Sequence, residues 1–238
     1  MADVFEEVEE QLRSDRYRSL ALKLLPWLGG LLAIALAVAG GYEFYDYSRT
    51  QAAAKASDEY NQAMEAYAQG RTSEAQTLWT EVSKSPAKAY KALSLQHLAG
   101  LRLADGKTAE GVQLLDQAAA AAPDILLADA ARLKAAFALL DTASLADMHT
   151  RLDPLTKEGR PYRTEAQEAL AFAKLLAGDT AGARGDFVVI SLSPDAQDSA
   201  RNRARAAMAL IDSGSAKVVP AAVKAALALP KPPPEPVG

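Results

Sequence analysis

The sequence contains no cysteine, two histidines and few aromatic residues. Without cysteine the chain cannot form disulfides, thiolate metal sites or a cysteine nucleophile, although this absence does not fix its compartment. Aromatic residues make up 6% of the chain, whereas half of it is hydrophobic. Much of that apolar content is alanine, which favours closely packed helices over a core of large side chains.

The two histidines, His97 and His149, have no cluster of carboxylates near them in the sequence. A zinc site needs three or four convergent ligands, so the sequence predicts no metal site. It also has no nucleophile elbow and no glycine-rich loop with phosphate-binding spacing. We therefore expect no enzymatic activity, no catalytic residues and no cofactor.

Charge is distributed unevenly along the chain. Eight of the 30 acidic and four of the 26 basic residues precede Arg49, so 22 of each lie from Arg49 onward. A neutral C-terminal part lacks the positive field that nucleic-acid binding requires, so we expect no nucleic-acid partner. The alternating arginines Arg201, Arg203 and Arg205 would spread around a helix, which favours a solvated helix over a site for an anionic partner.

A run of nineteen residues from Leu24 to Tyr42 contains no charge. A helix of that length covers roughly 28 Å, close to the hydrocarbon thickness of a bilayer. The sequence therefore predicts a transmembrane helix at residues 24–42.

The flanks of this run predict its orientation. Residues 1–23 carry four basic residues, whereas the first charges beyond the run are Glu43 and Asp46. Positive charge marks the cytoplasmic side, so residues 1–23 are predicted to be a cytoplasmic stub. Val4, Phe5, Val8 and Leu12 recur at helical spacing, which suits a short amphipathic helix, but a partly ordered tail is favoured over it. A cleavable signal peptide is the alternative, because Ala37-Val38-Ala39 resembles a cleavage site, but the acidic stub and the long run favour retention.

The remaining chain repeats with a period of 36 residues. Glycines in turn-like sequences lie 36 or 72 residues apart, and Thr142 occupies the skipped register: Gly70, Gly106, Gly178 and Gly214. Alanine stands seven residues before each of the five turns: Ala63, Ala99, Ala135, Ala171 and Ala207. This pattern predicts pairs of helices, in which glycine ends the first helix and a following serine or threonine caps the second. We expect an all-α solenoid over residues 43–229 and a disordered proline-rich tail at residues 230–238.

These units resemble the tetratricopeptide repeat. Two units fit its pattern well: Gly70 with Ala75 and Pro86, and Gly178 with Ala183 and Pro194. The unit around Thr142 departs most, because Pro154 interrupts its second helix. The repeats are therefore similar to tetratricopeptide repeats in a degenerate form.

The layout of residues 1 to about 212 resembles a narrower family, the YfgM-like ancillary subunits of the SecYEG translocon. An acidic stub and one span are followed by segments in a specific order: YEFYDY, AAAKASDEYNQA, AYKALSLQHLAG and GDTAGAR. The resemblance implies a bacterial inner-membrane protein with a periplasmic repeat domain. It also implies the SecYEG-type translocon, periplasmic chaperones and emerging polypeptide clients as partners.

By the same resemblance to tetratricopeptide domains, the binding surface would be the concave face lined by the first helix of each unit. Residues at two registers would lie on it: Tyr60, Met64, Gln96, Arg132, Glu168 and Phe172. Such a mixture of polar, aromatic and methionine residues suits weak contact with varied polypeptides, although the methionine and phenylalanine could equally belong to the core. The alternative function is a scaffold for an envelope or cell-division complex without client binding.

Overall fold

The computed structural model describes the backbone of residues 3–229 and the side chains of residues 25–229, except those at 26, 28, 29 and 33. The α-helices run as follows: α1 Asp3–Ala68, α2 Thr72–Val82, α3 Lys88–Ala104, α4 Thr108–Ala121, α5 Ile125–Leu139, α6 Leu145–Leu152, α7 Arg163–Leu176, α8 Thr180–Leu192, α9 Asp198–Asp212 and α10 Val219–Leu227. Two short 3-10 helices cover Asp153–Leu155 and Ser215–Val218. Residues 3–229 contain no strand, so the predicted all-α class is confirmed for this part of the chain.

The chain divides into two compact units, residues 1–51 and residues 52–238. The first unit contains the N-terminal part of α1, which begins at Asp3. The stub, for which the sequence favoured a partly ordered tail, is therefore helical from that residue onward.

No single helix in the described part of the chain is both long and apolar enough to cross a bilayer. One pair, α9 with residues 215–227, meets the length and composition criteria together, but its two helices meet at a 90° bend. The predicted span at 24–42 includes five positions, 24, 26, 28, 29 and 33, whose side chains lie outside the described residues. The predicted disordered tail at 230–238 also lies outside them.

The second unit consists of helix pairs, each made of a first and a second helix. The pairs are the end of α1 with α2, α3 with α4, α5 with α6, α7 with α8, and α9 with α10. The four predicted turn glycines have φ values between 76° and 86°, which a residue with a Cβ rarely adopts. The fifth turn also forms at the skipped register, where the Thr142 N–H donates to the Leu139 carbonyl at 3.0 Å. The 36-residue spacing of the turns is therefore confirmed.

The expected capping of the second helices is wrong in most units. Thr72, Thr108 and Thr180 are the first helical residues rather than caps. Only the second helices that begin after Ser144 and Asp179 have a side-chain cap among the described pairs. A threonine placed one residue inside the helix cannot present its hydroxyl to the N–H groups of the first turn as a cap does.

The periodic alanines form the contact surface between neighbouring helices. Ala63, Ala99, Ala135 and Ala171 have no exposed surface, and Ala207 is 8% exposed. Their small side chains let backbones approach closely, as the sequence predicted. In addition to the packing of successive helices from α2 to α9, first helices contact one another: α3 with α5, α5 with α7, and α7 with α9.

The unit around Thr142 departs from the others, as predicted. Its second helix, α6, ends at Leu152 and has eight residues, whereas α4 has 14 and α8 has 13. Pro154 lies in the 3-10 helix that follows, because proline lacks the N–H that a continuing α-helix needs. Residues 156–162 then form the connection to α7.

Candidate functional site

The six residues predicted for the concave face all lie on first helices. Tyr60 and Met64 are on α1, Gln96 on α3, Arg132 on α5, and Glu168 and Phe172 on α7. Gln96 and Glu168 are buried, Tyr60 and Phe172 are half-buried, and Met64 and Arg132 are exposed. Each polar member of this set is hydrogen bonded to another side chain.

The Tyr60 hydroxyl is hydrogen bonded to His97 Nε2 at 2.8 Å, which links α1 to α3. The His97 ring stacks on Trp79, with centroids 4.4 Å apart and an interplanar angle of 5°. Burial lowers the pKa of His97, and the positive charge of Lys134 lowers it further. Burial also raises the pKa of Tyr60, with a smaller contribution from Tyr90. Both groups are therefore held in their neutral forms at neutral pH.

Gln96 links α3 to α5. Its side-chain oxygen accepts a hydrogen bond of 2.8 Å from Lys134 Nζ. Because Lys134 thereby lies near His97, this bond also explains the electrostatic part of the histidine's pKa shift.

Arg132 is bonded to a carboxylate that the sequence analysis did not single out. Its Nη1 donates to Asp129 Oδ1 at 3.0 Å, and Asp129 is fully buried. Arg160, in the connection before α7, donates to the same oxygen through Nη2. Two guanidinium groups thus compensate one buried carboxylate. A buried carboxylate without such partners would strongly destabilise the fold.

Glu168 links α7 to α9 through Arg203. Arg203 Nε and Nη2 donate to the two carboxylate oxygens of Glu168, each at 2.7 Å. Glu168's side chain is 9% exposed and that of Arg203 is 53% exposed. These hydrogen bonds raise the pKa of Arg203. The sequence favoured a solvated Arg203, but in the structure its guanidinium pairs with Glu168.

These contacts form one series that we call the polar ladder: Tyr60–His97, Gln96–Lys134, Asp129–Arg160 and Glu168–Arg203. The partners lie 37, 38, 31 and 35 residues apart, close to one repeat period. Each rung therefore ties one unit to the next. The spacing of about one period is the signal by which the sequence could have suggested three of these pairs, but Arg160 lies only 31 residues after Asp129 and departs from it.

The two apolar candidates differ in their surroundings. Phe172 packs edge-on against Phe187, with ring centroids 5.1 Å apart, and borders the core cluster of α7, α8 and α9. Met64 is 38% exposed. Among these two, Met64 is the residue whose side chain is more available to a partner.

Residues 3–229, where their side chains are described, contain no group of three or more histidine and carboxylate side chains that could hold a metal ion. The candidate face is thus a set of hydrogen-bonded polar pairs with exposed side chains beside them. No family model, curated protein or solved structure matches this chain.

Proposed function

We propose that this protein is a single-pass bacterial inner-membrane protein whose periplasmic, tetratricopeptide-like solenoid binds polypeptides. It would act as an adaptor beside a SecYEG-type translocon and assist periplasmic chaperones with emerging proteins. The observation that carries the proposal is the order of two features: a charge-free apolar run is followed directly by helix pairs with a period of 36 residues.

The side chains of the apolar run support a membrane anchor at residues 24–42. The described large apolar side chains from Leu25 to Val38 are each between 61% and 79% exposed, although they belong to one helix. A helix with large exposed apolar side chains of this kind suits a hydrocarbon environment. Trp27, Tyr42 and Tyr45 lie toward the two ends of the run, where interfacial aromatic residues settle.

Charge supports a cytoplasmic N-terminus. Four basic residues precede the run, and Glu43 and Asp46 follow it. The repeat domain would then lie on the periplasmic side, where secreted chains emerge.

The proposed mechanism is tethering, without a covalent step. Paired polar groups and exposed residues such as Met64 offer modest, adaptable contacts. Weak binding is sufficient when an anchor confines the domain beside a channel, because confinement raises the effective concentration of client chains.

Affinity purification of the full chain from membranes in mild detergent tests the proposal. We expect translocon components and periplasmic chaperones to be recovered with it. A matched chain whose residues 24–42 are replaced by an unrelated transmembrane segment should keep its clients if the repeats bind them. Recovery of no translocon component in repeated purifications would contradict the assignment to the translocon.

The polar ladder favours a second candidate, a scaffold for an envelope complex. Four of its polar side chains are engaged with neighbouring units rather than presented to a partner: Tyr60, Gln96, Asp129 and Glu168. A static face of this kind suits fixed partners. The two functions differ in what the face contacts, since an adaptor contacts many transient chains and a scaffold contacts the same partners throughout.

A further inference from the structure

A cavity of about 450 Å³ lies beside the ladder at its third rung. It is lined by three arginines and three other residues: Arg132, Arg151, Arg160, Asp116, Thr150 and Pro154. Its volume falls within the range of about 300–1,000 Å³ that is usual for ligand sites. Nothing in the sequence pattern pointed to it.

The cavity lies at the unit that departs from the repeat. Thr150 and Arg151 lie in the last turn of the short α6, and Pro154 follows in the 3-10 helix. The long connection of residues 156–162 then brings Arg160 back to α5. The shortened second helix and this returning loop together place the three guanidinium groups around one space.

Charges at the cavity do not cancel. Asp116 accepts two hydrogen bonds from Arg151, at 2.9 and 3.3 Å, and Asp129 accepts from both Arg132 and Arg160. Three guanidinium groups thus face two carboxylates, and one positive charge remains. A ligand with a single negative charge would neutralise the cluster.

The three arginines have N–H groups that are not used in their bonds to the two carboxylates. Their side chains are 43%, 32% and 21% exposed for Arg132, Arg151 and Arg160. Each guanidinium has five N–H groups, and Arg132 and Arg160 each use only one of them on Asp129. The buried Nε of Arg160 has no hydrogen-bond partner among the described residues. An oxyanion would find several forked donors here.

We propose that this cavity binds a carboxylate group of the polypeptide that the repeat domain holds, either a C-terminal carboxylate or an acidic side chain. This inference rests on the proposed function as a polypeptide binder. A carboxylate carries one negative charge, which matches the single uncompensated positive charge, whereas a phosphate dianion would leave an excess. The arginine fork also matches the planar geometry of a carboxylate.

The test uses the full chain in detergent micelles and two fluorescently labelled ten-residue peptides of alanine, glycine and serine. One peptide has a central aspartate and a free C-terminus, and the other has asparagine and an amidated C-terminus. Two further peptides, with aspartate and an amidated C-terminus or with asparagine and a free one, show which of the two carboxylates binds. Fluorescence anisotropy measures both affinities. We expect the acidic peptide to bind about tenfold more tightly, because charge-assisted bonds to arginine contribute more than neutral ones.

Two substitutions at the same ion pair should change the acidic peptide's affinity in opposite directions. Arg151→Gln removes a donor and a positive charge, so affinity should fall about tenfold. Asp116→Asn releases Arg151 and raises the net charge, so affinity should rise severalfold. The control Arg184→Gln breaks a similar two-bond pair with Asp212 outside the cavity, at 2.6 and 3.0 Å, and should leave the affinity unchanged. A purely structural role for the Arg151–Asp116 pair would make both substitutions act in the same direction.

The outcomes separate this inference from the proposed function. Equal binding of the two peptides, or a common response to Arg151→Gln and Asp116→Asn, would overturn the carboxylate site while leaving polypeptide binding in place. Binding of neither peptide would overturn both. Displacement of the acidic peptide by inorganic phosphate at lower concentration than by acetate would show that the cavity prefers phosphate, and would overturn the carboxylate assignment.

Discussion

Replacing Glu168 or Arg203 removes the same ion pair, but the two substitutions should lower the free energy of unfolding by different amounts. Replacing Arg203 with glutamine leaves a carboxylate that is 9% exposed without its cation. Replacing Glu168 with glutamine leaves a guanidinium that is 53% exposed and can be hydrated by water. Removing one partner from a buried pair is destabilising mainly because of the charge left behind. Arg203→Gln should therefore destabilise the fold more than Glu168→Gln.

The size of the effect follows from the geometry and exposure of the pair. Two charge-assisted bonds of 2.7 Å would contribute several kcal/mol if both groups were buried. Because half of Arg203 is in water, screening reduces the coupling between the two side chains to about 1–2 kcal/mol. We expect a loss of about 2 kcal/mol for Arg203→Gln and about 1 kcal/mol for Glu168→Gln.

A double-mutant cycle measures this coupling. The free energy of unfolding is obtained from denaturant titrations of the parent, both single variants and Glu168→Gln/Arg203→Gln, followed by circular dichroism. The matched control is the pair Arg184–Asp212, which has the same two-bond geometry but exposed side chains on both partners. High salt should abolish the control pair's coupling and leave most of the Glu168–Arg203 coupling intact.

Equal losses from the two single substitutions would refute the reasoning, because they would mean that Glu168 is as well hydrated as Arg203. A coupling energy no larger than that of the exposed control pair would also refute it. In either case the ladder would not hold neighbouring units together.

Two further predictions concern the stacked ring pair and the helix contacts. Since the folded state lowers the pKa of His97, stability should be full above the ordinary value of 6.5 and fall as the pH drops below it, and His97→Gln should reduce this loss. In a Trp27→Phe background, fluorescence of Trp79 in the folded protein should fall where the stacked imidazole gains its proton, which is at a lower pH than the ordinary value because the folded state lowers the pKa of His97; a flat profile would contradict the stacking. Ala204→Leu places a larger side chain at a fully buried position of α9 and should lower the free energy of unfolding by about 1–3 kcal/mol. Ala206 is exposed on the same helix, so Ala206→Leu should change the free energy of unfolding by less than about 0.5 kcal/mol. Equal effects of the two leucines would contradict the assigned helix face.

The backbone architecture could be predicted from the sequence because its signals are local and repeated. A glycine that must adopt positive φ, such as Gly106, marks its turn by residue type alone. The alanine register, with Ala135 fully buried, was visible because close helix packing admits only small residues at each repeat. Pro154 predicted the end of α6 through its missing N–H.

The polar contacts could not be predicted to the same extent because they depend on tertiary packing. Partners of the ladder lie near one period apart but not at a fixed offset, since long side chains such as Arg203 can reach several neighbouring positions. Nothing in the sequence distinguishes Asp129 from the exposed acidic residues, and only the fold shows that it is buried. Arg160 lies in an irregular connection, for which the repeat pattern makes no prediction.

The prediction of threonine caps was wrong because it depended on the exact residue at which each helix begins. Threonine stands two residues after the turn glycine in three units, but the sequence did not fix whether that residue precedes or begins the helix. Thr108 begins α4, and its preceding residue, Lys107, has no capping side chain. A shift of one residue is enough to remove the cap.

Site-specific photo-crosslinking in living cells tests most directly whether the repeat domain binds emerging polypeptides. A photoreactive amino acid is placed at Met64, beside the ladder, at Thr150, in the arginine-lined cavity, or at Glu81, which is exposed on the second helix α2. The proposal predicts adducts with many secreted polypeptides from Met64 and Thr150 during active secretion, and few from Glu81. Adducts from Met64 and Thr150 that contain only the same envelope partners, unchanged when secretion is blocked, would contradict client binding and support the scaffold.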